Sequence, residues 1–357
     1  MFLKCFHLQA ILMYKPTNFI PLSVKVDSFS KLGKYLSALS EQEISDLTTR
    51  ASAENRWFTS ESVGLALKNL AIMLENENLN IFVQKYDTLS AQREVKTVGV
   101  VMAGNIPAVG FHDAFCVLLS GHKLLAKLSK DDTVLMRFLL EKLLEIAPEF
   151  ASFVQYADRM KEMDAVICTG SDNSARYFDY YFGKYPHIIR KNRTSIAVLD
   201  GNESLAELEL LAKDVFSYYG LGCRNVSKIM IPESMDVTKV IEAFEPYSHI
   251  IDHHKYANNY TYNRAVLLLN NEVFLDNGFL LFRETNDLHS PLSVLYYARY
   301  AQKKELLEYL DTHKQHIQCV VSNLTEIANR VQFGKTQSPL FLDYADGVDT
   351  MAFLLGL

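Results

Sequence analysis

KTVGVVMAGNIPAVGFHDAFCVLLSGHKLLAKLSKDD, residues 96–132, is the stretch from which the architecture can be read. It opens with a compact β-rich run, KTVGVV (96–101), which AGNIP (103–107) breaks. A helical pattern runs from Ala108 to Ser120, and Gly121 supplies the stop. KLLAKLS (123–129) reads as a second strand. Asp131 is then predicted to cap a helix with Leu135, Phe138, Leu139, Leu143 and Ile146 on or beside one face. DAVICTG (164–170) is a third apolar run and leads into a helical segment, 172–182. Strands alternating with helices at short intervals predict an α/β fold with a doubly wound parallel sheet. Unbroken apolar strands such as AVIC fit burial on both faces. Ligands of such sheets bind beyond the carboxyl ends of the strands. Three segments fall there: Gly104–Pro107, Ser129–Asp131 and Thr169–Ser171.

Upstream, residues 28–95 read as mostly helical, with Val63, Leu67, Leu70 and Leu74 at three- and four-residue spacing. Downstream, a second βαβ-like passage begins near residue 190. SIAVLD (195–200) precedes a helix carrying Leu205, Leu208, Leu211 and Val215, then YYGLGCRN, then the strand SKIMIP (227–232). The predicted organisation is a helical segment and sheet domain over 1–190, a smaller cysteine-bearing α/β domain over 191–330, and a terminal segment over 331–357. A length of 357 residues suits two domains.

Composition narrows the classes. The chain is 49% hydrophobic and 22% charged, which supports a packed core. Its net charge of −6 and the lack of a basic tract argue against nucleic-acid binding. No apolar run reaches the roughly 18–20 residues of a spanning helix, so no membrane span is expected. The opening MFLKCFHLQAILMY is interrupted by His7 and Gln9, and no small-residue cleavage site follows. It reads against a cleaved signal, with Met13 as an alternative start. Cys5, Cys116, Cys168, Cys223 and Cys319 are scattered, without a C-x-x-C pair. Neither a disulfide framework nor a zinc ribbon is predicted, and a reducing cytoplasm fits.

Cys116 lies mid-helix and Cys168 in an apolar strand, as core thiols do. Cys223 differs. It sits between Gly222 and Arg224, with Gly220 two residues before Gly222, in a turn from helix to strand. Glycine allows close approach, and an adjacent cation favours the thiolate. Local context leaves both a nucleophile and an inert thiol open. Asn105 is either an amide donor or a turn residue. Thr169-Gly170-Ser171 either cradles a phosphate on its N–H groups or simply caps the next helix. His253-His254 and YANNYTYN (256–263) have no third ligand at metal spacing, so they are assigned to structure and no metal is expected.

Taken in order, these pieces resemble the aldehyde dehydrogenase superfamily, most closely its acyl-CoA reductase branch, the LuxC-type fatty-acyl-CoA reductases of bacterial luminescence. The 96–132 stretch is similar to that family's strand, Asn-x-Pro turn, helix, Gly and strand ending in Lys. ICTGSDNSARYF resembles its Thr-Gly-Ser turn, and YYGLGCRNVSKIMIP its nucleophile segment. DLHSPLSVLYY is like its Glu-x-Phe-Gly-Pro stretch, with Asp287 for the Glu and Ser290 for the Gly. FGKTQSP and DYADGVDTMAFL resemble its closing segments, and NRWFTSE (55–61) is a weaker echo. The likeness runs from about residue 96 to 357.

The resemblance implies Cys223 as nucleophile, with Asn105 and the Cys223 backbone N–H as the oxyanion hole. It implies Lys127, Ser129 and Lys130 on the adenosine side, Gly170 and Ser171 at the pyrophosphate, and Asp287 at the nicotinamide ribose. Where oxidising members carry a water-activating Glu, this chain has Ile188-Ile189-Arg190-Lys191-Asn192. Lys130, where NAD-preferring relatives often have Glu, suits a 2′-phosphate and leans to NADPH over NADH. The expectation is an NAD(P)H-dependent reduction of a fatty acyl-CoA to aldehyde, by a homodimer, with room for an acyl-activating partner enzyme. The alternatives are an aldehyde dehydrogenase forming acids, or a non-catalytic nucleotide-binding scaffold, since the chain is shorter than family members usually are.

Overall fold

Five short apolar runs pair side by side as a parallel sheet. They are β1 (Thr97–Val101), β2 (Lys123–Lys127), β3 (Val154–Tyr156), β4 (Ala165–Thr169) and β5 (His187–Arg190), in the order β3-β2-β1-β4-β5. This is a doubly wound order, and it reverses between β1 and β4. The register levels the strand ends: Val101 pairs with Lys127 on one side and with Cys168 on the other. The turns after β1, β2 and β4 therefore open from one edge.

The computed structural model of the chain describes residues 19–357. Cys5 and the choice between Met1 and Met13 lie outside the described residues. The chain divides into two units. The first holds the described residues up to Glu54, Val63–Arg190 and Asp349–Leu357; the second holds Asn55–Ser62 and Lys191–Val348.

The helical reading of 28–95 holds: α1 (Leu22–Ser37), α2 (Glu41–Glu54), α3 (Ser60–Met73) and α4 (Asn76–Gln84) fill it. In the first unit Phe29 of α1 meets Phe115 edge to face at 4.7 Å. The buried Lys25 ammonium donates to Leu119 O at 2.6 Å, near the end of α5 (Phe111–Ser120). Gly121 ends α5 at φ +90°, the left-handed stop expected of it. Helices α6 (Thr133–Ile146) and α7 (Asp172–Phe182) follow β2 and β4. The last segment, past four helices of the second unit, returns to this unit as α12 (Thr350–Leu355). Asp349 accepts from the Tyr86 hydroxyl at 2.9 Å, and His122 Nε2 donates to Leu354 O at 2.9 Å.

The second unit is built on a six-stranded sheet ordered β11-β6-β7-β10-β9-β8. Its strands are β6 (Thr194–Val198), β7 (Val226–Pro232), β8 (Leu275–Asp276), β9 (Leu281–Glu284), β10 (Val294–Tyr300) and β11 (Ile317–Ser322). All pairings are parallel except β8 with β9, so the sheet is mixed. Helix α8 (Leu205–Phe216) opens with a capping box between Ser204 and Glu207. It packs Leu208, Leu211 and Val215 into a core with Ile229, Phe244, Phe282 and Leu295. α9 (Thr238–Ala243), α10 (His254–Leu269) and α11 (Lys303–His313) complete the unit. No helix among the described residues is long and apolar enough to cross a membrane.

Candidate functional site

In the first unit the resemblance-implied residues gather at the open edge of the sheet. Asn105 is exposed in the turn after β1. That turn does not pass directly into helix: Ala108 takes φ +57°, and α5 starts only at Phe111. A left-handed non-glycine costs roughly 1–2 kcal/mol, so neighbours must hold it there. Buried Asp132 does so, accepting from Ala108 N at 2.8 Å.

Asp131 is not the helix cap. Asp132 occupies that position and makes no side-chain cap bond. The N–H groups of Thr133 and Val134 go instead to Glu54 Oε2, at 2.9 and 3.1 Å. The cap is supplied from a distant helix, which leaves Asp132 for the neighbouring turn. Burial, abetted by Glu54 and opposed by the Ala108 N–H, pushes the Asp132 carboxyl up to about 8.

Lys127, at the end of β2, donates to Asp158 O at 2.9 Å. Ser129 shapes its own turn: its hydroxyl accepts from Asp131 N at 3.2 Å and its carbonyl from Asp132 N at 3.2 Å. Lys130 is exposed beside it. After β4, Ser171 caps α7, accepting from Ser174 N at 3.3 Å. A Cβ on Gly170 would lie 2.9 Å from Ser174 Cβ and 3.0 Å from Phe178, so only glycine lets this turn lie so close to α7. An exposed turn at the N-terminus of an eleven-residue helix, at the reversal of strand order, suits an anionic nucleotide.

The 188–192 passage offers no carboxylate. Ile188 is buried, and Arg190 turns into the first unit's core. Arg190 forms a buried ion pair with Asp113 and donates to Thr169 Oγ1 at 3.3 Å and Thr350 Oγ1 at 2.8 Å.

In the second unit Cys223 is exposed, whereas Cys116, Cys168 and Cys319 are buried. The chain leaves α8 through two residues with left-handed backbones, Tyr218 (φ +51°) and Tyr219 (φ +59°), and then Gly220 (φ +81°). Three such residues in a row need outside support. The Tyr219 ring supplies one contact, lying 4.4 Å from His253 and 5.3 Å from Trp57, and these two rings stack at 4.8 Å. His253 therefore serves packing, bonding Arg56 O at 3.0 Å.

Side chains from distant positions fix the Cys223 turn. Asn225 Oδ1 accepts from Gly222 N at 2.8 Å, while its amide donates to Asp214 O, Val215 O and Ser217 O. Ser195 Oγ donates to Cys223 O at 3.0 Å. Buried Asp214 accepts from Gly334 N, Thr336 N and Thr336 Oγ1 at 2.7–3.0 Å. Thr336 O in turn accepts from Arg224 Nε at 2.6 Å. Arg224 is thus engaged by the 334–336 loop. The surrounding protein pushes the Cys223 thiol up to about 11 against the pull of Arg224, with Asp346 adding to the rise. The adjacent cation favours the thiolate, as its position suggests, against a larger opposing effect of the surrounding protein.

Lys228, five residues on, is fully buried within β7. Its ammonium donates to Thr285 O at 2.9 Å and Asp287 O at 2.8 Å. Burial pulls it down to about 8 against the attraction of Asp287. It thereby braces the turn that exposes the Asp287 side chain. Composition carried signals for both missed residues: Lys228 is a cation inside an apolar strand, and Asp214 shares a helical face with Leu211 and Val215.

The family model for acyl-CoA reductase (LuxC) matches residues 77–335, spanning the β1 turn, the β4 turn and the Cys223 turn. The chain belongs to the acyl-CoA reductase (LuxC) family. No curated protein matches it significantly. Among solved structures, a mutant indole-3-acetaldehyde dehydrogenase of P. syringae bound to NAD+ is similar at 13% identity and TM-score 0.66, over 88% of this LuxC-family chain and 74% of its own. An aldehyde dehydrogenase of Mycobacterium tuberculosis complexed with NAD+ gives 13% and 0.63, over 86% and 74%. The NADP-dependent glyceraldehyde-3-phosphate dehydrogenase of Bacillus halodurans gives 13% and 0.61, over 87% and 75%. These likenesses establish the aldehyde dehydrogenase fold for this LuxC-family member. Family and fold together mark an oxidoreductase of aldehyde chemistry.

Proposed function

We propose that this LuxC-family chain reduces a fatty acyl-CoA to the aldehyde through an acyl-cysteine on Cys223. The observation that carries the reading is Cys223 itself: the exposed thiol among the described cysteines, held on a turn braced by Asn225, Ser195 and the Asp214–Thr336–Arg224 chain. Its sulfur attacks the thioester carbonyl, and CoA departs as a thiol carrying the proton that Cys223 gives up. At rest the thiol is protonated, so attack draws on a small thiolate fraction. The Arg224 guanidinium is the neighbouring group that favours it. Asn105 and the Cys223 backbone N–H are assigned to the oxyanion, where losing one donor typically costs about 10²–10³-fold.

A nicotinamide cofactor, when bound, supplies the hydride that reduces the acyl-cysteine to aldehyde. Gly170 and Ser171 would hold its pyrophosphate at the start of α7, Lys127 and Ser129 its adenosine side, and Asp287 its nicotinamide ribose. Exposed Lys130 favours a 2′-phosphate, hence NADPH, with NADH as the weaker donor. The lack of a carboxylate in 188–192 supports reduction over hydrolysis, because a general base contributes about 10²–10⁴-fold. Fold analogy supports a homodimer, and scattered cysteines without a C-x-x-C pair support a cytoplasmic setting; the reading leaves room for an acyl-activating partner enzyme.

Intact-mass measurement after incubation with a medium- or long-chain acyl-CoA, without cofactor, tests this. An adduct of the acyl mass on Cys223, absent from Cys223→Ala and discharged to aldehyde by NADPH, is expected. No adduct at any chain length, or full reductase activity in Cys223→Ala, would overturn the reading. An adduct that water alone removes rapidly would point to acid formation.

A further inference from the structure

We infer that Asp132 is a positioning residue that ties the Asn105 turn to the Ser129–Asp132 turn, so that one carboxyl sets the oxyanion donor against the cofactor side of the same unit. This rests on the assignment of Asn105 to the oxyanion. The Asn105 turn is gripped at both ends by the turn after β2. At its start, a Cβ on Gly104 would lie 2.5 Å from Ser129 Oγ and 3.2 Å from Asp132 Cβ, so the Gly104 backbone lies directly against the Ser129 and Asp132 side chains. At its far end, Ala108 holds a left-handed backbone whose N–H points to Asp132 Oδ2 at 2.8 Å. Asn105 lies between these two anchors.

The capping arrangement separates this role from an ordinary structural one. An Asp at a helix N-cap usually accepts from the first-turn N–H groups. Here Glu54 takes both of those donors, and the 1%-exposed Asp132 is turned across to another loop. Its second oxygen, Oδ1, is buried and has no hydrogen-bond partner among the described residues. A buried carboxyl half satisfied is costly, and its one hydrogen bond goes to the Asn105 turn and not to the helix it precedes. Burial raises the carboxyl and so favours its protonated form. Its carbonyl oxygen accepts from Ala108, and an asparagine amide oxygen is an isosteric replacement for it. Leucine has the same branching but larger methyl ends and no acceptor, and it leaves the Ala108 N–H buried without a partner.

Asp132→Asn, Asp132→Leu, Asn105→Ala and the double variant Asn105→Ala/Asp132→Leu are compared by single-turnover acylation of Cys223 and by steady-state kcat and KM. Thermal melts and NADPH binding by fluorescence verify folding and the cofactor side. Asp132→Leu is expected to slow acylation about 10²-fold, approaching Asn105→Ala, with acyl-CoA KM within about threefold. Asp132→Asn should acylate within about threefold of the parent, and the double variant should be no slower than Asn105→Ala alone. Acylation at full rate in Asp132→Leu beside a slow Asn105→Ala would overturn the positioning role and leave the oxyanion assignment standing. Asn105→Ala at full rate would overturn the assignment itself. Asp132→Asn as slow as Asp132→Leu would show that charge or burial, rather than the Ala108 bond, matters, and would also overturn the role. If Asp132→Leu does not fold, Asp132→Ala reads the same loss.

Discussion

The two units carry candidate chemistry in contrasting ways. In the first, Asn105, Ser129, Lys130, Gly170 and Ser171 ride on turns that follow directly from level strand ends, so a regular sheet does most of the placing. In the second, Cys223 follows three left-handed residues, and its turn keeps its shape through buried side chains drawn from α8, the 334–336 loop and β6. The strand-end turns need few braces, Asp132 on Ala108 N among them, whereas the Cys223 turn is held by a network of several.

The largest expected effect tests whether the first unit is as self-sufficient as its sheet suggests. Arg190→Leu strands Asp113 as a buried unpaired charge and removes the donor to Thr350, and should cost about 3–5 kcal/mol in urea unfolding. A loss under 1 kcal/mol would mean that β5 and α12 hold without the pair. Asp214→Ala probes the scaffold of the second unit. It leaves the N–H groups of Gly334 and Thr336 without their acceptor, at about 1–3 kcal/mol each before relaxation. It should also loosen Arg224 and slow Cys223 acylation more than it weakens NADPH binding; an equal effect on both would erase the contrast.

The smallest effect concerns the thiol. With Cys223 raised to about 11, iodoacetamide labelling should climb about tenfold per pH unit from 7 to 10 and level off beyond 11. The sign follows from the thiolate being the reactive form, and raising the thiol delays its appearance to higher pH. A plateau reached by pH 8 would show that Arg224 outweighs the surrounding protein.

The same contrast explains what could be read in advance. The strands β1, β2, β4, β6 and β7 and the helices between them were legible because each is an apolar run punctuated by Gly, Pro or Asp at its ends. The α5 stop at Gly121 and the core thiols Cys116 and Cys168 followed from local pattern alone. The cap of α6 was assigned one residue early because Glu54, far back in the chain, supplies its bonds. No local pattern marks Tyr218 and Tyr219 as left-handed, since aromatic residues rarely adopt that backbone and the Trp57–His253 pair that supports Tyr219 is remote in sequence. The engagement of Arg224 by Thr336 O is equally non-local, so no local pattern could foretell it. Residues whose role is set by one neighbour were readable, and those set by a distant partner were not.

The return of residues 349–357 to the first unit has a consequence for synthesis. Sheet, helices and the Arg190–Asp113 pair of that unit emerge from the ribosome early, but the Thr350 hydroxyl that Arg190 bonds lies 160 residues further on. The acceptor for Tyr86 and the carbonyl for His122 arrive just as late. Throughout translation of Lys191–Val348, the nascent first unit stays open along the surface that α12 will cover. That interval, more than any step in refolding the finished chain, is when it is exposed to aggregation and to chaperones.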